Sequence, residues 1–560
     1  MGHFALFTVS QAKSWSGEVI AMPHSRISLG LAAAALLALP MQPGARADTD
    51  AKIIEEVDFA TSCSPAVQRT FKHAVWTLHS FWYPEALKQF TAVTEAEPGC
   101  TIGYWGIAMS HWYPLWYPPP PAALKAGSKA VEKAMAAPAK TNREKDYIAA
   151  IAAFYRDNDK LDHRARAVAY EKAMEQVYLT YPEDREAAVF YALALNATAL
   201  PTDKTYANQK KAAEILNKIW KEEPNHPGVV HYLIHSDDSA KFAQAGLDAA
   251  ICYAKIAPDV PHALHMPSHI FTRLGMWQES IDSNRAASAA ALAYSQKAGN
   301  PGGYDVHSMD YLEYAYLQTA QDGPAKAVVD ELTGFRQTDA TNLTVAYAVA
   351  AIPARYVLER RDWPAAASLS TPATGVPLER FPWAKAMISY PRALGEARTG
   401  NITGAQAEIA KLQSLKDKLT AENNTYWANQ VEVQRLGAAG ILAHVQGDNA
   451  KAVELVRAAA DLEATMDKSP VTPSSVLPAR ELLGDLLLEL NQPAAALIEY
   501  KEMLRTDPNR FRSILGEARA AKQSGDAVAA HDAYQQLVAL SKPIGPERPE
   551  LAEAKAYLTN

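Results

Sequence analysis

The stretch Pro478–Pro508, PARELLGDLLLELNQPAAALIEYKEMLRTDP, decides the fold. Its two apolar segments have helical spacing and are separated by a short polar turn. Ala496 and Tyr500 recur 34 residues later as Ala530 and Tyr534. A 34-residue period with two helices per unit predicts a helical-repeat protein.

Other parts of the chain carry the same unit. Pro224 and Pro258, also 34 residues apart, close the segments KKAAEILNKIWKEEP and AGLDAAICYAKIAP. In Pro478–Pro508, the small and large packing residues resemble those of tetratricopeptide (TPR) repeats: Leu483, Gly484, Leu487, Ala496, Tyr500 and Pro508. The resemblance implies an all-α fold, a right-handed superhelical solenoid of roughly eight to ten helix pairs. The sequence has no convincing strand alternation.

Composition does not favour some classes of partner. The chain has 560 residues, of which 48% are hydrophobic, and a formal net charge of −7. This supports a large core and gives no reason to expect nucleic acid or an anionic membrane as a partner. We find no Walker loop, Rossmann fingerprint or nucleophile elbow. A protein, peptide or small ligand in a concave groove is the expected partner.

The first residues have the features of an export signal. The apolar run Ile27–Leu39 precedes Ala45-Arg46-Ala47, which has the form of a cleavage site. The run is too short to span a membrane. We therefore expect a leader over residues 1–47 and a mature chain in the periplasm or outside the cell, without a transmembrane segment.

The repeat map divides the rest of the chain into three parts. Residues 48–335 form a predicted N-terminal array with a histidine-lined groove. Residues 336–382 form a connecting helix and a proline-rich segment, and residues 383–560 form a C-terminal array.

The cysteines also depend on the repeat map. Cys63 and Cys100 each lie just before the first helix of neighbouring units, so they are predicted to form a disulfide in an oxidising compartment. The alternative is that both of them and Cys252 are free, buried thiols.

The candidate site comes from PHALHMPSHIFTRLGMW, residues Pro261–Trp277. On a helix, its three histidines lie opposite the packing stripe. His231 and His235 precede His265 and His269 by 34 residues, so both pairs should face one groove. The next unit adds two further candidates by the same register. The predicted set is His231, His235, His262, His265, His269, His307 and Asp310.

Three interpretations of this set remain open. Histidines at i and i+4 can share a metal ion, for which imidazole and carboxylate ligands favour zinc, copper(II) or non-haem iron. Asp310, Asp237 or Asp238 could act as ligands or orient an imidazole. The other interpretations, without metal, are a polar groove for a peptide or small anion and a structural hydrogen-bond network. Pro267 predicts that the helix either kinks or begins there.

Four further residues are candidates for the ligand groove. Trp105, Met109 and Trp112 would line it by repeat register, and the alternative is packing between repeats. Arg273 could hold a carboxylate in a bidentate pair. His79 and His111 are expected to be local packing residues.

The blocks LHSFWYPEALKQF, PGCTIGYWGIAMS, HYLIHSDD and PHALHMPSHIFTRLGMW resemble those of an exported bacterial family of uncharacterised TPR proteins. This likeness covers most of residues 60–320 and implies the fold but no activity. The expected role is non-catalytic, a scaffold whose groove binds a metal ion, a ligand or both. One alternative is a metal-dependent enzyme with a mononuclear site, and the other is a protein-interaction scaffold without metal.

Overall fold

A computed structural model describes residues 57–116, 118–137, 139–298, 305–335 and 342–559. Within these residues there is no β-strand. The α-helices are α1 Pro65–His79, α2 Tyr83–Ala96, α3 Thr101–Ser110, α4 Pro121–Ala136, α5 Asn142–Tyr155, α6 His163–Thr180, α7 Arg185–Thr198, α8 Ala207–Trp220, α9 Pro227–Asp237, α10 Leu247–Ile256, α11 Pro261–His265, α12 Pro267–Arg273, α13 Trp277–Lys297, α14 Val306–Gln318, α15 Asp322–Gly334, α16 Leu343–Glu359, α17 Trp363–Ala367, α18 Pro382–Arg398, α19 Ile402–Ala421, α20 Thr425–Val445, α21 Asn449–Ala464, α22 Ala479–Glu489, α23 Pro493–Thr506, α24 Phe511–Gln523, α25 Ala527–Leu540 and α26 Pro549–Thr559.

The packing of Tyr500 explains the sequence signature of the repeat. Its ring fills the space in front of two glycines, one on α22 and one on α24. A Cβ at Gly484 would lie 2.7 Å from this ring, and a Cβ at Gly516 would lie 2.2 Å from it. The Tyr500 hydroxyl donates a hydrogen bond to Asp485 at 2.6 Å. A large residue on one helix therefore requires glycine on both neighbours.

Consecutive helices pack against each other along the chain. The helices that begin successive pairs also touch, as in α1 with α3, α20 with α22 and α22 with α24. This is the contact pattern of a solenoid, in which each unit meets its neighbours. The predicted fold class, all-α with tetratricopeptide-type helix pairs, is confirmed.

A disulfide joins Cys63 to Cys100, whose Cα atoms are 5.1 Å apart. The two residues precede α1 and α3, which are equivalent helices of neighbouring units. Cys252 is a free, half-buried thiol.

The C-terminal helices pack back onto the N-terminal ones. The Trp277 indole donates to the carbonyl of Asn509 at 2.7 Å, and Arg510 donates to the Tyr314 hydroxyl at 2.9 Å. Residues Ile53–Asn560 form one compact unit. The array boundaries at residues 335 and 382 stay predictions within it.

The predicted leader, residues 1–47, lies outside the described residues. Among the helices that are described, none has the combination of length and apolarity needed to cross a membrane.

Candidate metal centre

Six histidines converge from four helices. His231 and His235 lie on α9, His262 and His265 on α11, His269 on α12 and His307 on α14. The helix expected around Pro267 is interrupted there, since α11 ends at His265 and α12 begins at Pro267. Proline has no N–H to continue the hydrogen-bond ladder. His262 and His265 thus belong to a short helix of their own.

The first triad is His231, His235 and His262, with one nitrogen of each ring within 4.8 Å of the others. Nε2 of His231 lies 3.1 Å from Nε2 of His262 and 3.1 Å from Nε2 of His235. Nδ1 of His231 donates to the backbone carbonyl of His79 at 2.7 Å. That bond directs the other ring nitrogen of His231 into the triad.

The second triad is His265, His269 and His307, again with one nitrogen of each ring within 4.8 Å of the others. Nε2 of His265 and Nε2 of His269 are 3.0 Å apart. The ring centroids of His235 and His269 are 6.1 Å apart, so the triads adjoin. The sequence indicated a single cluster, whereas the fold divides it into two sets of three.

Two hydrogen bonds fix two of the three rings of the second triad. Nδ1 of His265 donates to Oδ1 of Asn284 at 2.7 Å, and Nδ1 of His269 donates to Oδ2 of Asp238 at 2.9 Å. The Asn284 amide nitrogen donates to the Ser280 carbonyl at 2.7 Å, which fixes the orientation of that side chain. Since both Nδ1 atoms face acceptors, the proton of each neutral ring is on Nδ1. Both Nε2 atoms therefore present lone pairs to each other.

Asp238 holds its position through two cations. Arg273 donates to Oδ1 at 2.9 Å, and the Lys468 ammonium lies 2.8 Å from Oδ2. Burial alone would raise the pKa of Asp238, but the charges of Lys468 and Arg273 outweigh it and hold the pKa well below its usual range. Asp238 is thus a permanent carboxylate behind His269. Arg273 contacts an internal carboxylate through Nε alone, and its Nη2 donates to the Asp238 backbone carbonyl at 3.1 Å, so the predicted bidentate pair is not formed with this residue.

Burial lowers the pKa of every histidine in the two triads. The pKa falls to about 4 for His235 and to about 3 for His269. Neutral imidazole is the form that binds metal. The site therefore presents unprotonated ligands at neutral pH.

A third cluster, which the sequence did not reveal, gives a contrast. His79 and His226 each place Nε2 at 2.8 Å from a different oxygen of Glu186. The Tyr232 hydroxyl lies 2.9 Å from Nδ1 of His79, and Val229 N–H donates to Nδ1 of His226. Every ring nitrogen here has a complementary protein partner. This cluster is complete as a hydrogen-bond network, unlike the second triad.

The structure does not group Asp310, a predicted ligand, with either triad. This side chain is fully buried and forms an ion pair with Arg355 on α16. Arg355 also lies 3.4 Å from Glu313. The repeat register placed Asp310 correctly on α14, but α16 packs against α14 and brings a buried guanidinium to that carboxylate.

The predicted groove residues on α3 also lie elsewhere. Trp105, Met109 and Trp112 are at most 1% exposed and belong to the core. Helix α3 packs against α1, α2, α4 and α5, so none of these side chains reaches a groove. The alternative, packing between repeats, matches their positions.

The centre is covered rather than lying in an open groove. The segment between α21 and α22 crosses it. Tyr311, whose ring stacks on His269 at a centroid distance of 4.8 Å, donates to the carbonyl of Thr472 at 2.9 Å. The same segment carries Lys468, which lies 230 residues from its partner Asp238 in the sequence. No local sequence pattern predicts either contact.

No family model and no curated protein matches this chain. Several solved structures are similar at low identity. The APC/C hetero-tetramer Cut9–Hcn1 is 12% identical over 88% of this chain and 90% of that chain, with a TM-score of 0.29. A human IFIT1 dimer with PPP-AAAA is 11% identical over 87% and 92%, with a TM-score of 0.34. The TPR domain of P58(IPK) is 13% identical over 88% and 98%, with a TM-score of 0.19. Similarities this low say nothing about what this chain binds.

Proposed function

We propose that this protein is an exported helical-repeat scaffold that binds one divalent metal ion in each histidine triad. One observation carries the proposal: Nε2 of His265 and Nε2 of His269 lie only 3.0 Å apart. In both rings Nδ1 faces a hydrogen-bond acceptor, so neither Nε2 carries the proton. Two lone pairs at that distance repel each other unless a cation lies between them.

The geometry fits a metal ion as that cation. Zinc–nitrogen bonds of about 2.0–2.1 Å at a tetrahedral ion place two ligand nitrogens roughly 3.3 Å apart. The closest Nε2 pairs in the two triads lie at 3.0 and 3.1 Å. A shift of a few tenths of an ångström would bring them to bonding positions.

The donor set narrows the choice of metal. Each triad offers three imidazole nitrogens and no carboxylate. Imidazole suits zinc and copper(II), whereas non-haem iron(II) sites usually include a carboxylate. Asp238 accepts a hydrogen bond from Nδ1 of His269, the ring nitrogen that faces away from the triad. Carboxylates orient histidine ligands in this way in many zinc sites. Three protein ligands per ion leave a coordination position for a further ligand.

Other observations support export and a partner. The disulfide between Cys63 and Cys100 is of the kind that persists in oxidising compartments. The apolar run and the cleavage motif before residue 48 agree with this, as does the resemblance to an exported bacterial TPR family. A tetratricopeptide-type scaffold fits the binding of a protein or peptide partner on its remaining surface.

Elemental analysis of untagged protein, purified from the periplasm without chelators, tests the proposal. We expect two equivalents of zinc or copper in the parent. The double variant His235→Ala/His269→Ala, which removes one ligand from each triad, should lose most of that metal.

The matched control is His531→Ala, because His531 lies exposed on α25. It should keep the parent's metal content. Metal-free parent protein, after loading and desalting, would refute metal binding and leave a protein-interaction scaffold.

A further inference from the structure

A cavity of about 520 Å³ opens beside the two triads. This volume is in the range of small-molecule sites. Its wall includes the turn between α1 and α2, the first residues of α14 and α16, and the second half of α13. Much of the lining is aromatic or aliphatic, including Phe81, Trp82, Trp116, Tyr294, Val345 and Val471.

The cavity reaches both triads. His262 of the first triad and His307 of the second are part of its wall. Both are half-buried, as is His235 outside the wall, whereas His231, His265 and His269 are buried. One histidine of each triad thus faces the same space. A molecule in the cavity can therefore approach His262 and His307, the residues that would help to hold an ion in each triad.

The aromatic residues are arranged around this contact. The Phe81 ring stacks on His262 with an interplanar angle of 13° and a centroid distance of 5.5 Å. Trp116 meets the same histidine edge-on at 4.9 Å. Flat, π-rich walls of this kind favour a planar aromatic guest.

Polar groups in the wall are few. Asp305 is occupied as the N-cap of α14, where it accepts hydrogen bonds from the backbone N–H and hydroxyl of Ser308. The Thr344 hydroxyl has no hydrogen-bond partner among the described residues. The cavity therefore offers a largely apolar wall, the Thr344 hydroxyl, and one histidine from each triad.

We infer that this cavity binds an aromatic small molecule with a phenolic oxygen, and that this oxygen completes the coordination of a metal ion at the triads. The inference rests on the proposed metal binding. The ring lies among the aromatic side chains, because its apolar surface is removed from water there. The oxygen is the hard, anionic donor that the imidazole ligands do not supply.

Cobalt(II) is a suitable probe, because its visible absorption changes when a ligand enters the coordination sphere. The metal-free protein is loaded with cobalt, the bound metal is counted, and 4-ethylphenol is added. We expect two ions per chain and a saturable change in the cobalt bands. Ethylbenzene, which has the same ring without the oxygen, should not change the bands but should weaken the response to 4-ethylphenol.

A pair of tryptophan substitutions on α13 locates the binding. Ala291 lines the cavity and Ala289 is exposed on the same helix. Ala291→Trp should keep two cobalt ions and bind 4-ethylphenol roughly tenfold more weakly. Ala289→Trp should behave like the parent, and its cobalt count shows that an added indole on α13 is tolerated.

The outcomes separate the two proposals. If two cobalt ions bind but 4-ethylphenol leaves their bands unchanged, or if Ala291→Trp binds it as tightly as Ala289→Trp, the cavity inference is wrong and metal binding stands. If no cobalt binds, the proposed function fails and the inference fails with it.

Discussion

Oδ2 of Asp238 lies 2.9 Å from Nδ1 of His269 and holds the opposite ring nitrogen toward His265. The carboxylate sits at the end of α9, one repeat before the histidine that it orients. It is the only carboxylate among the described residues that hydrogen-bonds a histidine of the two triads. The ligand geometry of the second triad therefore depends on a residue that does not itself face the metal position.

Asp238→Asn should weaken metal binding at the second triad by about 10- to 100-fold, as loss of such a support typically does. The amide can still accept from His269, but it lacks the charge that balances Lys468 and Arg273. Competition with a chelator of known affinity measures the change. The first triad should keep its affinity.

The neighbouring substitution Asp237→Asn is the control, because Asp237 has no hydrogen bond to a triad histidine among the described residues. Burial raises the pKa of Asp237 to about 7. Removing this acid should leave both metal affinities unchanged. Equal losses in the two variants would mean that Asp238 has no specific role.

Asp310→Asn should leave the metal content at two equivalents. It should also lower the free energy of unfolding by about 3 kcal/mol, since it removes a partner from a buried guanidinium, that of Arg355. Urea unfolding and elemental analysis of the same sample check both statements. A loss of metal with unchanged stability would restore Asp310 as a ligand.

Glu481 gives the fold an acid-sensitive contact. It accepts hydrogen bonds from Arg510, Arg361 and Ser513, at 2.7, 3.1 and 2.8 Å. Burial alone would raise its pKa, but the charges of Arg510 and Arg361 outweigh it and lower the pKa from 4.5 to about 2. Below pH 4.5 the unfolded chain takes up this proton and the folded chain does not, so stability is lost as the pH falls toward 2.

Glu481→Gln should therefore be less stable than the parent at pH 7, by about 3 kcal/mol. The difference should narrow as the pH falls through the window from 4.5 toward 2, by up to about 1.4 kcal/mol per pH unit. Urea midpoints at pH 7, 4 and 3.5 would show it. A constant difference at all three values would contradict the assignment.

Removal of the disulfide by Cys63→Ser/Cys100→Ser should lower the free energy of unfolding by about 3 kcal/mol. The bridge restricts the conformations of the unfolded chain, because it joins two residues that are 37 positions apart. The parent should lose the same amount in a reducing agent, and the variant should not respond to it. A parent that is equally stable with and without reductant would argue against the bridge.

Much of the fold could be predicted from the repeat. The 34-residue period of Ala496 and Tyr500 predicts helix pairs, because it reports packing between neighbours in sequence. The placement of the six histidines together could also be predicted, since helical spacing fixes which residues share a face. Both are local properties.

Other features of the site depend on residues far apart in the chain. The repeat register predicted that Trp105 lines the groove, although α3, which carries it, is enclosed by four helices. It also predicted Asp310 as a ligand, although that carboxylate forms an ion pair with Arg355. Periodicity gives the direction of a side chain on its own helix, but not which element packs against it.

The sequence by itself thus determined the helical repeat and the shared face of the histidines, because both follow from spacings within one or two units. Only the tertiary structure decided that the histidines form two triads and that Asp238 and Asn284 orient the second. It also decided that the segment around Lys468 covers the centre. These contacts join residues up to 230 positions apart, and no local pattern encodes them.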